Sequence, residues 1–112
     1  MSGNGYVNTR NVVTILPAST ATATGGAFTP TGENPTFHST IAGTGAVTAT
    51  VLIEGNMDTT NTSGWTLLQT HTLSGTTTDT TGLTSPTKWA NVRARLTAIT
   101  GTSAAVTVKM GC

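Results

Sequence analysis

Few side chains in this chain of 112 residues are of the types that carry out chemistry. The two histidines, His38 and His71, stand where the alternation predicts the polar side of strands, and the single cysteine is Cys112. A metal site or a nucleophilic triad needs partners of the right type, and none occurs at a recognisable spacing. We therefore predict no enzyme, no metal and no cofactor, and expect both histidines to serve surface or subunit packing.

Oxygen-bearing side chains cluster in the segment that holds Asn56, Asp58 and Asn61. A calcium site is one interpretation, but the segment has one carboxylate and its spacing departs from the EF-hand pattern. Asn and Asp side chains also bond to nearby backbone groups and so build turns. The turn interpretation is favoured.

Positive charge collects late in the chain. Charged residues make up 8% of the sequence and the formal net charge is +1, yet no acid follows Asp79. The alternation places Arg93 and Arg95 on the outward face of one strand and Lys109 on its neighbour. Two interpretations stay open: a solvated face that discourages edge pairing, or a cationic contact to another subunit or to an acidic shell.

Trp65 and Trp89 each open a predicted strand. A large aromatic side chain at that position is expected at the edge of the core, and it is also a candidate platform for a sugar ring. Burial is the favoured interpretation.

Strands must position these residues. Ala46–Glu54 and Trp89–Ile99 alternate apolar and polar side chains with a period of two, which indicates strands with one buried face. About a quarter of the residues are Thr, which favours pleated surfaces, and no segment shows a helical apolar stripe. We predict an all-β fold, a small antiparallel β-sandwich or jelly roll.

Further strands follow from the same pattern. Thr36–Ile41 and Ala46–Glu54 are predicted to form a hairpin through Gly43-Thr44-Gly45, and Ser74–Gly82 to be a polar connection. The other predicted strands are Asn11–Leu16, which Pro17 ends, Trp65–Leu73 and, after a turn at Gly101-Thr102-Ser103, Ala104–Met110.

The predicted core is thin for a domain without a disulfide, which favours oligomerisation. Its predicted members are Phe37, Ile41, Val47, Val51, Ile53, Trp65, Leu67, Leu73, Val92, Leu96, Val106, Val108 and Met110.

We divide the chain into an extended N-terminal arm, residues 1–35, and a sandwich body, residues 36–112. The arm is rich in Gly, Pro and Thr yet holds several apolar side chains, which a pure linker does not need. We expect its NVVTIL segment to add a strand to a neighbouring sheet edge. The predicted interface residues are Tyr6, Val7, Arg10, Val12, Val13, Ile15, Phe28, Arg93, Arg95 and Lys109.

The composition also limits the classes of partner that we expect. So few cations argue against nucleic-acid binding, which requires several Lys and Arg side chains. The N-terminus has no apolar signal region and no segment reaches the length of a membrane span. We expect synthesis in a host cytoplasm and no membrane partner.

Two stretches of the body resemble a known class. Glu54-Gly55-Asn56 with Asp58 leads to Trp65, and Trp89-Ala90-Asn91-Val92-Arg93-Ala94 precedes Ile99-Thr100-Gly101-Thr102. This pattern resembles the small capsid decoration, or cement, proteins of tailed phages, which have a β-sandwich or jelly-roll body, and it covers about the last two thirds of the chain.

The resemblance implies a non-enzymatic homotrimer on the outside of a phage head that bridges major capsid subunits. The expected location is therefore the capsid surface of the virion, with the major capsid protein and further copies of this chain as partners. The alternative is a carbohydrate- or receptor-binding β-module of a phage tail or fibre.

Overall fold

A computed structural model of the chain describes residues 12–30, 35–57, 64–84 and 89–111, and every regular element in these ranges is a β-strand. No helix within them is long and apolar enough to cross a membrane. The all-β prediction is confirmed. The strands are β1 (Val12–Ser19), β2 (Ala23–Thr24), β3 (Thr36–Asn56), β4 (Thr66–Thr84) and β5 (Asn91–Gly111).

The strands form one antiparallel sheet in which β3 is paired on both sides. β4 lies along one side of β3 and β5 along the other, and β1 and β2 follow each other along the far side of β5. The antiparallel class agrees with the prediction, and a jelly-roll connectivity stays a prediction.

The sheet is folded across its middle into two layers. Ser39 lies opposite Thr81 in β4, ten residues from His71, yet the Ser39 and His71 side chains are hydrogen-bonded at 2.6 Å. A flat sheet would separate them by about 33 Å at the usual rise per residue. The first layer contains residues 36–42, 78–84 and 105–111 with β1, and the second contains residues 46–56, 66–76 and 91–100 with β2.

The fold line crosses the three long strands at glycine-rich positions. Ala42 and Ala46 of β3 pair with Thr78 and Thr76 of β4, so the register shifts where β3 bends. In β5, Gly101 has a φ of +137°, and an added Cβ would lie 2.9 Å from Cγ1 of Val47. Such a close approach requires glycine because no side chain fits there.

Three predictions about connections are therefore wrong. Gly43-Thr44-Gly45 does not join a hairpin, and Gly101-Thr102-Ser103 does not separate two strands, because β3 and β5 bend at these points and continue. Ser74–Gly82 is part of β4. Its threonines suit a strand with one solvated face, and their polarity alone does not indicate a loop.

The space between the layers is the core. Eleven of the predicted core residues are buried, whereas Trp65 is half-buried and Leu67 is 54% exposed. Leu67 turns outward because Ile53 pairs with Gln69 and Glu54 with Leu67, so β4 has a one-residue bulge at Leu68. A bulge moves the residues beyond it to the opposite face, and Leu68 packs inward instead.

Residues 12–30 belong to the body, which corrects their placement in an extended arm. Val12 pairs with Gly111 and Ser19 with Val106 of the chain's own β5, and Ile15 and Leu16 are buried in the core. β1 also continues past Pro17, where two register shifts leave the proline outside the ladder. An edge strand tolerates proline at such a position.

Candidate interaction surface

Four side chains from three segments meet on the outer face of the second layer. Glu54 of β3 lies directly opposite Arg93 of β5, and Nε of Arg93 donates to Oε1 of Glu54 at 2.8 Å. Nη2 of Arg95 lies 3.4 Å from Oε2 of the same carboxylate. The guanidinium of Arg93 also stacks over the Trp65 ring, 4.2 Å from its centroid. Glu54, Trp65, Arg93 and Arg95 are named the arginine cluster.

The charges of the arginine cluster are partly compensated and held in place. Glu54 is buried, and its two oxygens serve two guanidinium groups, so the cluster keeps one net positive charge. Arg93 is 23% exposed and Arg95 is 40% exposed, and Nε of Arg95 is buried without a hydrogen-bond partner among the described residues. Arg95 is therefore less completely satisfied than Arg93.

Polar and apolar neighbours extend this surface. Beside the Glu54–Arg93 pair, Nδ2 of Asn91 donates to Oδ1 of Asn56 at 3.0 Å. Met57 is 65% exposed, and the exposed Leu67 lies opposite Glu54. Trp, Arg and Met are side-chain types enriched at protein interfaces, so the arrangement suits binding.

His71 lies in the core, not on the polar side predicted for it. Its Nε2 lies 2.8 Å from Oε1 of Gln69, and its Nδ1 lies 2.6 Å from Oγ of Ser39. Because Oε1 can only accept, Nε2 carries the proton, and Nδ1 accepts from the Ser39 hydroxyl. Burial lowers the pKa of His71 below 6.5, with His38 as the second cause.

The pair of Ser39 and His71 has the distance of a nucleophile and its base, but not the setting. Both side chains are fully buried between the layers, and the third partner is the Gln69 amide instead of a carboxylate. A substrate has no path to the hydroxyl in this arrangement, so the pair joins the two layers as a satisfied polar contact.

His38 lies on the outer face of the first layer, as the alternation predicted. It lies opposite Lys109 across the β3–β5 ladder, followed by the pairs Thr40–Thr107 and Ala42–Ala105. These three pairs, with Ala18, line a groove of about 400 Å³, named the His38 groove. Lys109 is thus on the same strand as Arg93 and Arg95 but on the other layer, which corrects its predicted place beside them.

The predicted interface residues near the N-terminus have different outcomes. Val12 is 62% exposed, Val13 and Phe28 pack partly against the core, and Ile15 is fully buried and so unavailable as a contact. The backbone of Phe28 bonds to Val92 in both directions. Tyr6, Val7 and Arg10 lie outside the described residues.

The other candidate sites are only partly within the described ranges. Asn56 is buried and bonded to Asn91, while Asp58, Asn61 and Cys112 lie outside the described residues. In the part of the chain that the structure describes, His, Cys, Asp and Glu form no group of three that could hold a metal. Trp89 is half-buried and packs against the core.

The sequence reasoning missed the role of Glu54. Glu54 alternates with the same outward-facing positions as Thr48 and Thr50, which indicated that its side chain points outward. Only the pairing of β3 with β5 shows that it lies opposite Arg93.

The chain matches no protein-family model, no curated protein and no solved structure.

Proposed function

We propose that this chain is a structural virion protein that decorates the outside of a phage head and bridges major capsid subunits. The observation that supports this is the convergence of the residues that carry the resemblance. Glu54, Trp65 and Arg93 are spread over 40 positions of sequence, yet they meet on one surface of the second layer.

The chemistry of this surface suits a protein partner. Glu54 and Trp65 hold Arg93 in one orientation, so little side-chain freedom remains to be lost on binding. The exposed Met57 and Leu67 add apolar area beside the guanidinium groups. Arg and Trp side chains dominate the binding free energy of many interfaces, and Met is enriched in them.

The proposed assembly is a homotrimer on the capsid surface. A small body without a disulfide gains stability from association, and the low charge of 8% limits repulsion between copies. Sedimentation of the purified protein is expected to give three times the chain mass of 11.3 kDa. A folded monomer at micromolar concentration would contradict the trimer.

The main experiment measures binding to undecorated heads of the phage whose genome encodes this chain. We expect Arg93→Thr with Arg95→Thr to weaken binding at least about tenfold, as loss of central interface arginines does. Thr76→Glu with Thr78→Glu at the exposed fold line is the matched control, since it changes the net charge by the same two units. Equal binding by both double variants would remove the arginine cluster from the interface.

A carbohydrate- or receptor-binding module of a tail or fibre is the second candidate function. The observation that favours it is the half-buried Trp65 ring beside the guanidinium of Arg93, since sugar sites combine a ring with polar groups. Binding of the protein to immobilised glycans but not to heads would select this function, and Trp65→Leu would then abolish glycan binding.

A further inference from the structure

The outer face of the first layer carries a trough that the proposed function does not use. The His38 groove adjoins a second hollow of about 360 Å³, and His38 and Lys109 line both. The second hollow extends to Thr36 and Gly111 at the end of the sheet. The trough thus follows β3 and β5 over four residue pairs, about 20 Å at the usual strand rise.

The chemical character of the trough changes along its length. At one point His38 faces Lys109, the next pair is Thr40 with Thr107, and the last is Ala42 with Ala105 at the fold line. Directly opposed residues have Cβ atoms about 5 Å apart, so His38 and Lys109 reach the same ligand group. Two hydroxyl groups and a small apolar surface follow.

Lys109 has no acidic partner among the described residues. The two ion pairs of that part of the chain both belong to Glu54 on the other layer. The carboxylate of Asp79 accepts a hydrogen bond from the Ser74 backbone N–H at 2.8 Å. Within the described ranges, the trough therefore presents cationic and hydroxyl donors without a carboxylate to match them.

We infer that this trough docks an extended, acidic segment of another protein. A carboxylate bound between His38 and Lys109 gains charge-assisted hydrogen bonds, and the Thr40 and Thr107 hydroxyls bond to the peptide backbone. The alanine pair leaves room for the methylene groups of a Glu side chain. This inference does not rest on the proposed function.

The charges argue against two other occupants, the first ten residues of this chain and a nucleic acid. The chain's own first ten residues contain Arg10 and no acid, so they have the same sign as Lys109. A nucleic acid needs several cations along its phosphates, and this trough has a lysine and a histidine. An extended peptide of six residues has the length of the trough, about 20 Å.

The test titrates the full-length, ¹⁵N-labelled protein with hexaglutamate whose termini are blocked. We expect amide shifts at residues 36–42 and 105–111 and none at Arg93 or Arg95. Lys109→Met is expected to weaken the hexaglutamate affinity about threefold, as for loss of one exposed ion pair. Lys109→Arg is expected to retain the affinity, because the charge remains.

The controls distinguish binding of hexaglutamate in the trough from general electrostatic attraction to the protein. Thr72→Glu on the outer face of the second layer changes the net charge by the same one unit as Lys109→Met, and it is expected to leave the affinity unchanged. Hexaglutamine and an oligothymidylate are expected to cause no shifts in the trough. Equal binding of either probe, shifts centred on the arginine cluster, or equal loss in both variants would overturn the inference.

Discussion

The two layers of one folded sheet present outer faces that treat positive charge in opposite ways. On the second layer Arg93 and Arg95 share the buried carboxylate of Glu54, and Arg93 is covered by Trp65. On the first layer Lys109 lies beside His38 without an acid among the described residues. Because β3 and β5 run through both layers, the same two strands build both faces.

This difference shows what an internal partner does to a surface cation. A guanidinium held by a carboxylate and an aromatic ring contributes to the stability of the free protein and is already oriented for binding. A lysine without such a partner contributes little to stability and keeps its charge for a ligand. The outer face of the first layer is therefore tested best by binding measurements. The outer face of the second layer is tested by both binding and stability measurements.

We expect the largest change in the free energy of unfolding at the fold line, where the long strands bend from one layer into the other. Gly101→Ala places a Cβ 2.9 Å from Val47 Cγ1 and 3.0 Å from the Ala46 carbonyl oxygen, at a φ of +137°. We expect the free energy of unfolding to fall by about 3 kcal/mol, since both strain and overpacking contribute. Urea unfolding followed by circular dichroism measures it.

Gly45→Ala is the matched control for the fold line. Its φ of +72° lies near the left-handed region that a side chain adopts at a smaller cost than +137°, and an added Cβ has no neighbour within 4 Å. Its expected cost is about 1 kcal/mol, the strain alone. Equal losses in the two variants would show that neither the φ of Gly101 nor its close packing requires glycine at the fold line.

The fold line also marks where the sequence stops being informative. The alternation of Val47, Val51 and Ile53 identified the inner face of β3, because a period of two depends only on local geometry. A glycine-rich break in that pattern is typical of a turn and of a bend alike. The choice depends on which strands pair, and pairing is set by contacts far apart in sequence.

For the candidate site, too, the sequence predicted the direction of side chains but not their partners on other strands. Arg93 and Arg95 were correctly placed outward, because they alternate with the buried Val92, Ala94 and Leu96. Glu54 was not assigned to them, since the ladder between β3 and β5 joins residues 39 positions apart. The bulge that exposes Leu67 is equally a property of paired strands.

The next largest effect is expected when the carboxylate that Arg93 and Arg95 share is removed. Glu54→Gln leaves two guanidinium groups without their counter-charge, and we expect a loss of about 2 kcal/mol in the free energy of unfolding. The figure is below that of a fully buried pair because Arg95 is 40% exposed.

Lys109→Met supplies the comparison on the first layer. An exposed cation without an internal partner should change the free energy of unfolding by less than about 0.5 kcal/mol. Urea unfolding of both variants at low and high salt measures the difference. Similar losses in Glu54→Gln and Lys109→Met would mean that the two faces do not differ as described.

The contact between the layers predicts a pH dependence. His71 has a pKa below 6.5 in the folded protein because burial penalises its charged form, so the unfolded chain binds the proton more readily. Stability is fully present above about pH 6.5 and is lost as the pH falls through the lower folded pKa. The slope is at most about 1.4 kcal/mol per pH unit for one group.

Urea unfolding between pH 8 and pH 5 measures this slope, and two histidine variants assign it. His71→Gln should remove the contribution, although it lowers the overall stability. His38→Thr should retain most of it, since His38 lies on the outer face and is the second cause of the lowered pKa. An unchanged slope in His71→Gln would assign the pH dependence to other groups.

A small effect is expected where charge is separated from geometry within the second face. Arg93→Lys keeps the positive charge but loses the planar group that donates to Glu54 and stacks on Trp65, 4.2 Å away. We expect a loss of about 0.5 to 1 kcal/mol in the free energy of unfolding and a shift in tryptophan emission. Lys109→Arg, the reverse exchange on the first layer, should change neither, because Lys109 has no ion pair within the described ranges. If Arg93→Lys were neutral as well, the arginine cluster would depend on charge alone, and Trp65 would have no part in orienting it.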